Sequence, residues 1–232
     1  MFLFFDAVGT LLRPLPDVVT AYHQYGTAHG SQLEPEEIRQ RFARLYPQHF
    51  CRLADVESAL QTSESLERTR WRSLVTELFS DVQPAAALFE ELWEHFAQAS
   101  SWELYPDVAP TLRQLKERRL PWGIASNFDQ RLDAIIAGIP ELAEAQTVVT
   151  SATAGWSKPS AEFFQHAASQ VAKQTGGSPI QLWMIGDNRS LDFEAATACG
   201  WQALHLDREL NATKEAWQIR SLVEVLERLS LS

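Results

Sequence analysis

The sequence predicts an α/β protein: a doubly wound parallel sheet with helices on both faces and an all-helical insertion directly after the first strand. Three observations predict it. The chain opens on a continuous apolar run, Phe2-Leu3-Phe4-Phe5, halted by Asp6 and a Gly9-Thr10 turn; a run apolar at every position suits a strand covered on both faces. From about Pro14 to about Ser101 the periodicity is helical only. From Tyr105 onward strand-like runs and helical stripes alternate, as in right-handed βαβ units of a parallel sheet.

The insertion reads as about four helices. Ile38, Phe42 and Leu45 form one apolar stripe, Leu74 with Leu78 and Val75 with Phe79 two adjacent ones, and Leu88, Leu92 and Phe96 another. Breaks are expected at Gly30 to Pro35 and at Asp81 to Pro84. Pro106-Asp107 then opens a helix with Val108, Leu112 and Leu115 inward, and Pro121 to Ala125 is a strand ending in Ser126-Asn127. A helix carrying Leu132, Ile135 and Ile136 leads to a strand at Thr147 to Thr150. A helix from about Ser160 turns Phe163, Phe164, Ala167 and Val171 inward. Leu182 to Ile185 is a strand ending at Gly186-Asp187, and the helix after Leu191 stops at Gly200. Trp201 to Leu206 is a strand and Ile219 to Leu229 a closing helix. The first strand must join this sheet, since alone it has no partner.

Composition narrows the function classes. The chain has 232 residues, 45% hydrophobic and 22% charged, as expected of a folded soluble protein. A net charge of −10 argues against nucleic acid or an anionic membrane as partner. The N-terminus lacks a basic segment and its apolar run is broken by Asp6, so a signal peptide is not expected, and no stretch reaches the length of a membrane span. Two distant cysteines, Cys51 and Cys199, do not make a disulfide framework; a reducing, cytoplasmic location is expected. The histidines lack zinc-ligand spacing, and there is no P-loop or G-x-G-x-x-G.

In such sheets the ligand site lies at the carboxyl ends of the strands. Those ends carry Asp6, Ser126-Asn127, Lys158 beyond the third strand, and Asp187 with Asp192. A carboxylate, a hydroxyl with an amide, an ammonium and a carboxylate pair converge, which is the set required for phosphoryl transfer to an enzyme carboxylate. Asp6 is the expected nucleophile, splitting one hard step into two. Ser126 and the backbone N–H of Asn127 are expected to hold phosphate oxygens, with Thr10 also placed at the substrate. Lys158 offsets charge on the nucleophile and the transferring group. Two carboxylates ~4 Å apart repel by about 4 kcal/mol at an effective dielectric of about 20, so a cation is expected between Asp6 and Asp187. Mg²⁺ fits, held by these two, the Val8 backbone carbonyl, and Asp192 in its shell or just behind it. Each residue alone has a plainer reading: a helix cap for Asp6, a solvated loop lysine for Lys158, a turn at Asp187-Asn188. Their joint occurrence in order is what points to chemistry.

Four segments, DAVGT at Asp6 to Thr10, ASNFD at Ala125 to Asp129, GWSKP at Gly155 to Pro159 and GDNRSLD at Gly186 to Asp192, resemble the motifs of haloacid-dehalogenase-like (HAD) hydrolases of subfamily IA. The resemblance spans nearly the whole chain. It implies a Rossmann-like core of residues 1–13 plus 102–232 and a helical cap of residues 14–101. It also implies Asp6 as nucleophile, Ser126 and Asn127 as binders of the transferred or leaving group, Lys158 as charge stabiliser, Asp187 as metal ligand, and a small phosphorylated molecule as substrate.

One position departs. The family's phosphatases usually carry a second Asp two residues after the nucleophile, to protonate the leaving alkoxide and activate water; here Val8 stands there. Loss of such an acid–base group costs roughly 10²–10⁴-fold. Three readings stay open: a metal-dependent phosphohydrolase acting on good leaving groups, a non-catalytic binder of phosphorylated ligands or partners, and a 2-haloacid dehalogenase, whose halide leaves without a proton. Gly186-Asp187 and Asp192 argue for a metal and against the last. Of the remaining residues, Trp71 and Trp93 are expected to pack the insertion's core, Arg13 to form a hinge salt bridge, Arg41 and Arg44 to face solvent, and Cys199 to sit in the core.

Overall fold

The computed structural model describes residues 1–50, 60–177, 180–210 and 215–229; Cys51 lies outside them. In chain order the elements are β1 (Phe2–Phe5), β2 (Leu12–Pro14), α1 (Val18–Ala28), α2 (Pro35–Phe50), α3 (Glu64–Leu78), α4 (Ala86–His95), β3 (Trp102–Leu104), α5 (Val108–Glu117), β4 (Trp122–Ser126), α6 (Arg131–Ala137), β5 (Val148–Thr150), α7 (Ser151–Ala154), α8 (Ala161–Gln174), β6 (Leu182–Gly186), α9 (Ala195–Ala198), β7 (Gln202–Leu206), β8 (Gln218–Ile219) and α10 (Val225–Leu229).

Among the described residues β5-β4-β1-β6-β7-β8 form one six-stranded sheet in that order, every pairing parallel. All four residues of β1 are buried, and alternate side chains serve opposite faces. Leu3 and Phe5 join Ile124, Ile185, Leu112 and Leu132 on one face. Phe2 and Phe4 join Met184, Phe163, Phe164 and Val171 on the other. That is why the first strand reads apolar at every position. The chain runs outward from β1 to β4 and β5, then returns to the other side of β1 for β6 and β7. The switch therefore falls at the carboxyl ends of β4, β1 and β6, where a cleft is expected.

Helices α1 to α4 build a separate apolar cluster around Tyr22, Ile38, Leu45, Leu78, Phe79 and Leu92. The breaks expected before Pro35 and around Asp81 to Pro84 are present. On entering and leaving this layer the chain pairs with itself in an antiparallel ribbon, β2 with β3, which periodicity did not reveal. Arg13 and Glu103 pair across it at 2.8 Å, the ion pair expected of Arg13.

Two expected elements differ. Ile219 begins no helix: it belongs to β8, which extends the sheet beside Leu206, and the chain then makes a 3₁₀ turn before a short α10. The His205 N–H donates to the Trp217 carbonyl and the Asp207 N–H to the Ile219 carbonyl, both at 2.9 Å, so this segment continues the ladder before any helix begins. The segment after Leu191 is not simply an α-helix either; Arg189–Glu194 form a π-helical turn before α9. Cys199 is half-buried at the end of α9. Among the described residues no helix is long and apolar enough to cross a membrane.

Candidate active site

Register brings the predicted residues together. Phe5 pairs with Ile124 on one side and Ile185 on the other, so Asp6, Ser126 and Asp187 emerge at one edge of the sheet. The Asp6 N–H donates to the Ile185 carbonyl at 2.9 Å, fixing its backbone to β6. The chain then turns sharply, with Leu11 and Leu12 N–H groups both donating to the Ala7 carbonyl at 2.8 Å. Gly9 makes the turn possible: its φ is +92°, and a Cβ there would lie 2.2 Å from Asp187 Oδ2.

Lys158 is 3% exposed and spends all three ammonium hydrogens inside the protein. Nζ donates to Asp192 Oδ1 at 2.5 Å, Asp6 Oδ1 at 2.7 Å and the Ala125 carbonyl at 3.0 Å. Burial alone pushes its pKa down, but Asp192 and Asp6 more than offset this and raise it above the ordinary lysine range. Lys158 is therefore a fixed positive charge, not a proton carrier. Its backbone is clamped by the Asn127 side chain, whose Oδ1 accepts from the Lys158 N–H at 2.7 Å and whose Nδ2 donates to the Lys158 carbonyl at 3.0 Å. The side chain of Asn127, a residue expected at the phosphate through its N–H, thus holds the Lys158 backbone, a role that spacing did not disclose.

Thr10, expected at the substrate, has its hydroxyl engaged by Asp187. It is fully buried, and its hydroxyl donates to Asp187 Oδ1 at 3.2 Å while accepting from the Asp187 N–H at 3.0 Å. It braces Asp187 through these two bonds. Asp192 is 1% exposed; with Oδ1 on Lys158, its Oδ2 accepts from the Asn188 N–H at 3.0 Å. The π-helical turn brings it so close that a Cβ at Gly186 would lie 2.1 Å from Oδ2. Both Asp192 oxygens are thus engaged by protein groups, Oδ1 by Lys158 and Oδ2 by the Asn188 N–H. Ser126 is buried at the end of β4 and Val8 is exposed at 36%.

Ligand oxygens of Asp6, Asp187 and Asp192 lie within 4.8 Å of one another. Three carboxylates face one ammonium. The imbalance appears in Asp187, which opens onto solvent while its carboxyl is crowded by protein; this partial burial and the Asp6 charge push its pKa up to about 6. Burial and Asp6 likewise raise Asp192, against the pull of Lys158. An all-oxygen, charge-deficient site of this kind fits a hard divalent cation such as Mg²⁺.

The helical layer docks directly on the loop that carries Lys158. The Thr62 N–H donates to the Gly155 carbonyl at 3.0 Å and the Ser157 N–H to the Leu60 carbonyl at 2.8 Å. Glu64 Oε2 accepts from the Gln130 N–H at 3.1 Å at the start of α6. Beside it, Arg131 pairs with Asp129 through two bonds, at 2.8 and 2.7 Å, and lies over the Trp93 ring at 3.6 Å. Trp93 thus packs against the core segment as well as inside the insertion, and Trp71 reaches the same guanidinium at 5.9 Å. Nothing in the spacing of Asp129 and Arg131 signals this contact, and the tryptophans were expected only in the insertion's own core.

The motifs, the fold and this geometry define a class of hydrolase, and comparison with known proteins gives it a name. The model of the haloacid dehalogenase-like hydrolases matches residues 2–200, and the chain belongs to that family. It is 29% identical over 205 residues to the human haloacid dehalogenase-like hydrolase domain-containing protein 3, covering 85% of this chain and 78% of the human one. Among solved structures it resembles a HAD phosphatase from Thermococcus onnurineus, with a TM-score of 0.66, 22% identity and coverage of 98% of this chain and 96% of that one. It also resembles an L-2-haloacid dehalogenase from Xanthobacter autotrophicus with chloropropionic acid covalently bound, with a TM-score of 0.71, 16% identity and coverage of 99% and 98%. Phosphatase and dehalogenase thus share this fold, and only the site residues can separate them.

Proposed function

We propose that this hydrolase is a Mg²⁺-dependent phosphohydrolase acting through an aspartyl-phosphate on a small phosphorylated substrate with a good leaving group. The observation that carries the reading is the Asp6–Lys158 pair at 2.7 Å with Asp187 beside it. Asp6 and Asp187 would hold the cation, with the Val8 carbonyl as a further donor; when bound, Mg²⁺ supplies positive charge to the phosphate oxygens and relieves the carboxylates' repulsion. Asp6 attacks phosphorus, an Asp6–phosphorus bond forms, and the bond to the leaving oxygen breaks with its electron pair departing on that oxygen. Lys158 stabilises the charge throughout, and Ser126 with the Asn127 N–H orients the phosphate oxygens. Water then attacks phosphorus and frees Asp6. Val8 supplies no proton in the first step and no base in the second, so substrates whose leaving group departs unprotonated are favoured and the second step is slow. Cytoplasmic location is part of the same proposal.

Val8 also favours one other reading, a 2-haloacid dehalogenase, since carbon–halogen cleavage needs no acid. The charge deficit at Asp187 weighs against it. The deciding experiment is turnover of an aryl phosphate, an acyl phosphate and a 2-haloacid with and without Mg²⁺. Phosphate release that needs Mg²⁺ and disappears in Asp6→Asn is expected. Halide release without metal would replace this reading by the dehalogenase; bound Mg²⁺ with no turnover of any substrate would leave a binding protein.

A further inference from the structure

We propose that His205 and Arg208, at and just beyond the end of β7, are positioning residues that hold the Thr10–Asp187 pair and so fix where the cation-binding carboxylate stands. The proposal rests on the reading of Asp187 given above. Thr10 and Asp187 exchange two hydrogen bonds, at 3.2 and 3.0 Å, and each backbone carbonyl is held by one of these two residues. His205 Nε2 stands 3.0 Å from the Asp187 carbonyl. Arg208 Nη2 donates to the Thr10 carbonyl at 2.9 Å. The placement follows from sheet register, since Gly186 pairs with His205.

A carbonyl oxygen only accepts, so His205 must carry its hydrogen on Nε2. That leaves Nδ1 buried without a partner among the described residues. The ring is held against Trp217, itself stacked on Phe193. Arg208 is fixed in turn: Nη1 donates to Asp107 Oδ2 at 2.7 Å, and its guanidinium lies 4.0 Å over the Tyr105 ring. Asp107 Oδ2 also accepts from Ser221 Oγ and the Leu222 N–H, both at 2.8 Å. Arg208 Nε and Asp107 Oδ1 are likewise buried and unpartnered. Three of the six such atoms among the described residues therefore belong to this one network. Two carbonyls are thus pinned behind the pair that orients Asp187. Partners of this kind behind a metal ligand typically matter 10–100-fold for affinity.

The test uses the full chain and four variants, His205→Phe, His205→Gln, Arg208→Met and Arg208→Lys. The first readout is hydrogen exchange of the Asp187 amide in magnesium-free protein, since that amide donates to Thr10. The second is Mg²⁺ affinity by calorimetry. His205→Phe keeps the ring and Arg208→Met keeps most of the stem; both should speed Asp187 exchange by about tenfold and weaken Mg²⁺ binding by about 10- to 100-fold. The Gln and Lys variants retain a donor and should stay close to wild type. Wild-type exchange in both donor-free variants overturns the proposal. So does equal loss in the donor-retaining pair, which would mean packing alone. If one donor-free variant fails to fold, the other decides by the same criteria. Wild-type protein that binds no Mg²⁺ overturns the cation reading of Asp187, while the exchange result still decides the positioning roles.

Discussion

Asp187 and Asp192 belong to one strand-to-helix connection yet do opposite work. Asp192 is sealed beneath the sheet end, with one oxygen on Lys158 and the other on the Asn188 N–H. Asp187 opens onto solvent and is held from behind by Thr10. The inner carboxylate neutralises the lysine as part of the fold; the outer one keeps a face for a ligand. Residue type therefore does not set the role of an acidic residue here. What sets it is whether backbone N–H groups and a buried cation have already claimed its oxygens.

The largest expected effect sharpens the contrast at the open side. Val8→Asp places a carboxylate beside the exposed edge, and alkyl-phosphate turnover should rise by roughly 10²–10⁴-fold in steady-state assays; an unchanged rate would mean that the site lacks more than an acid. On the sealed side, Asp192→Asn removes one partner of a buried pair and should cost about 3 kcal/mol in urea unfolding of magnesium-free protein, the low end for such pairs because Lys158 keeps Asp6. Asp187→Asn removes a charge the fold disfavours and should cost nothing, or stabilise, in the same assay at neutral pH; a loss equal to that of Asp192→Asn would break the comparison. Gly9→Ala strains a left-handed φ and drives a methyl into Asp187, for about 1–3 kcal/mol of stability and weaker Mg²⁺ binding by calorimetry.

The smallest effect is in pH. The folded pKa of Asp187, about 6, lies above its ordinary 3.8. The unfolded chain therefore releases this proton first, and metal-free stability falls as pH rises from 3.8 toward about 6, then levels. Asp187→Asn should show a shallower decline than wild type when unfolding is followed from pH 3.5 to 7.5, a range of about four units around the transition, the part due to the raised Asp192 remaining.

Much of the framework was legible because local patterns carried it. The unbroken apolar run of β1 reflects burial on both faces, and the stripes of α5, α6 and α8 lie on the buried faces expected. The ribbon of β2 with β3 and the short β8 were not legible, since strands of two or three residues leave no periodicity to read. Arg131 on Trp93 was missed for a related reason: a cation over a ring depends on two elements far apart in sequence.

By itself the sequence determined which chemical groups stand at the strand ends, because an apolar strand must stop where a polar residue begins and a parallel sheet aligns those stops. It also determined that Val8 brings no carboxylate. Tertiary structure decided the division of labour: that Thr10 braces Asp187, that Asn127 clamps the Lys158 backbone, and that Asp192 backs the lysine. Those roles depend on hydrogen-bond partners 31 to 177 positions apart in the chain, and distances of about 3 Å between such groups are set only when the sheet register and the helix packing close together.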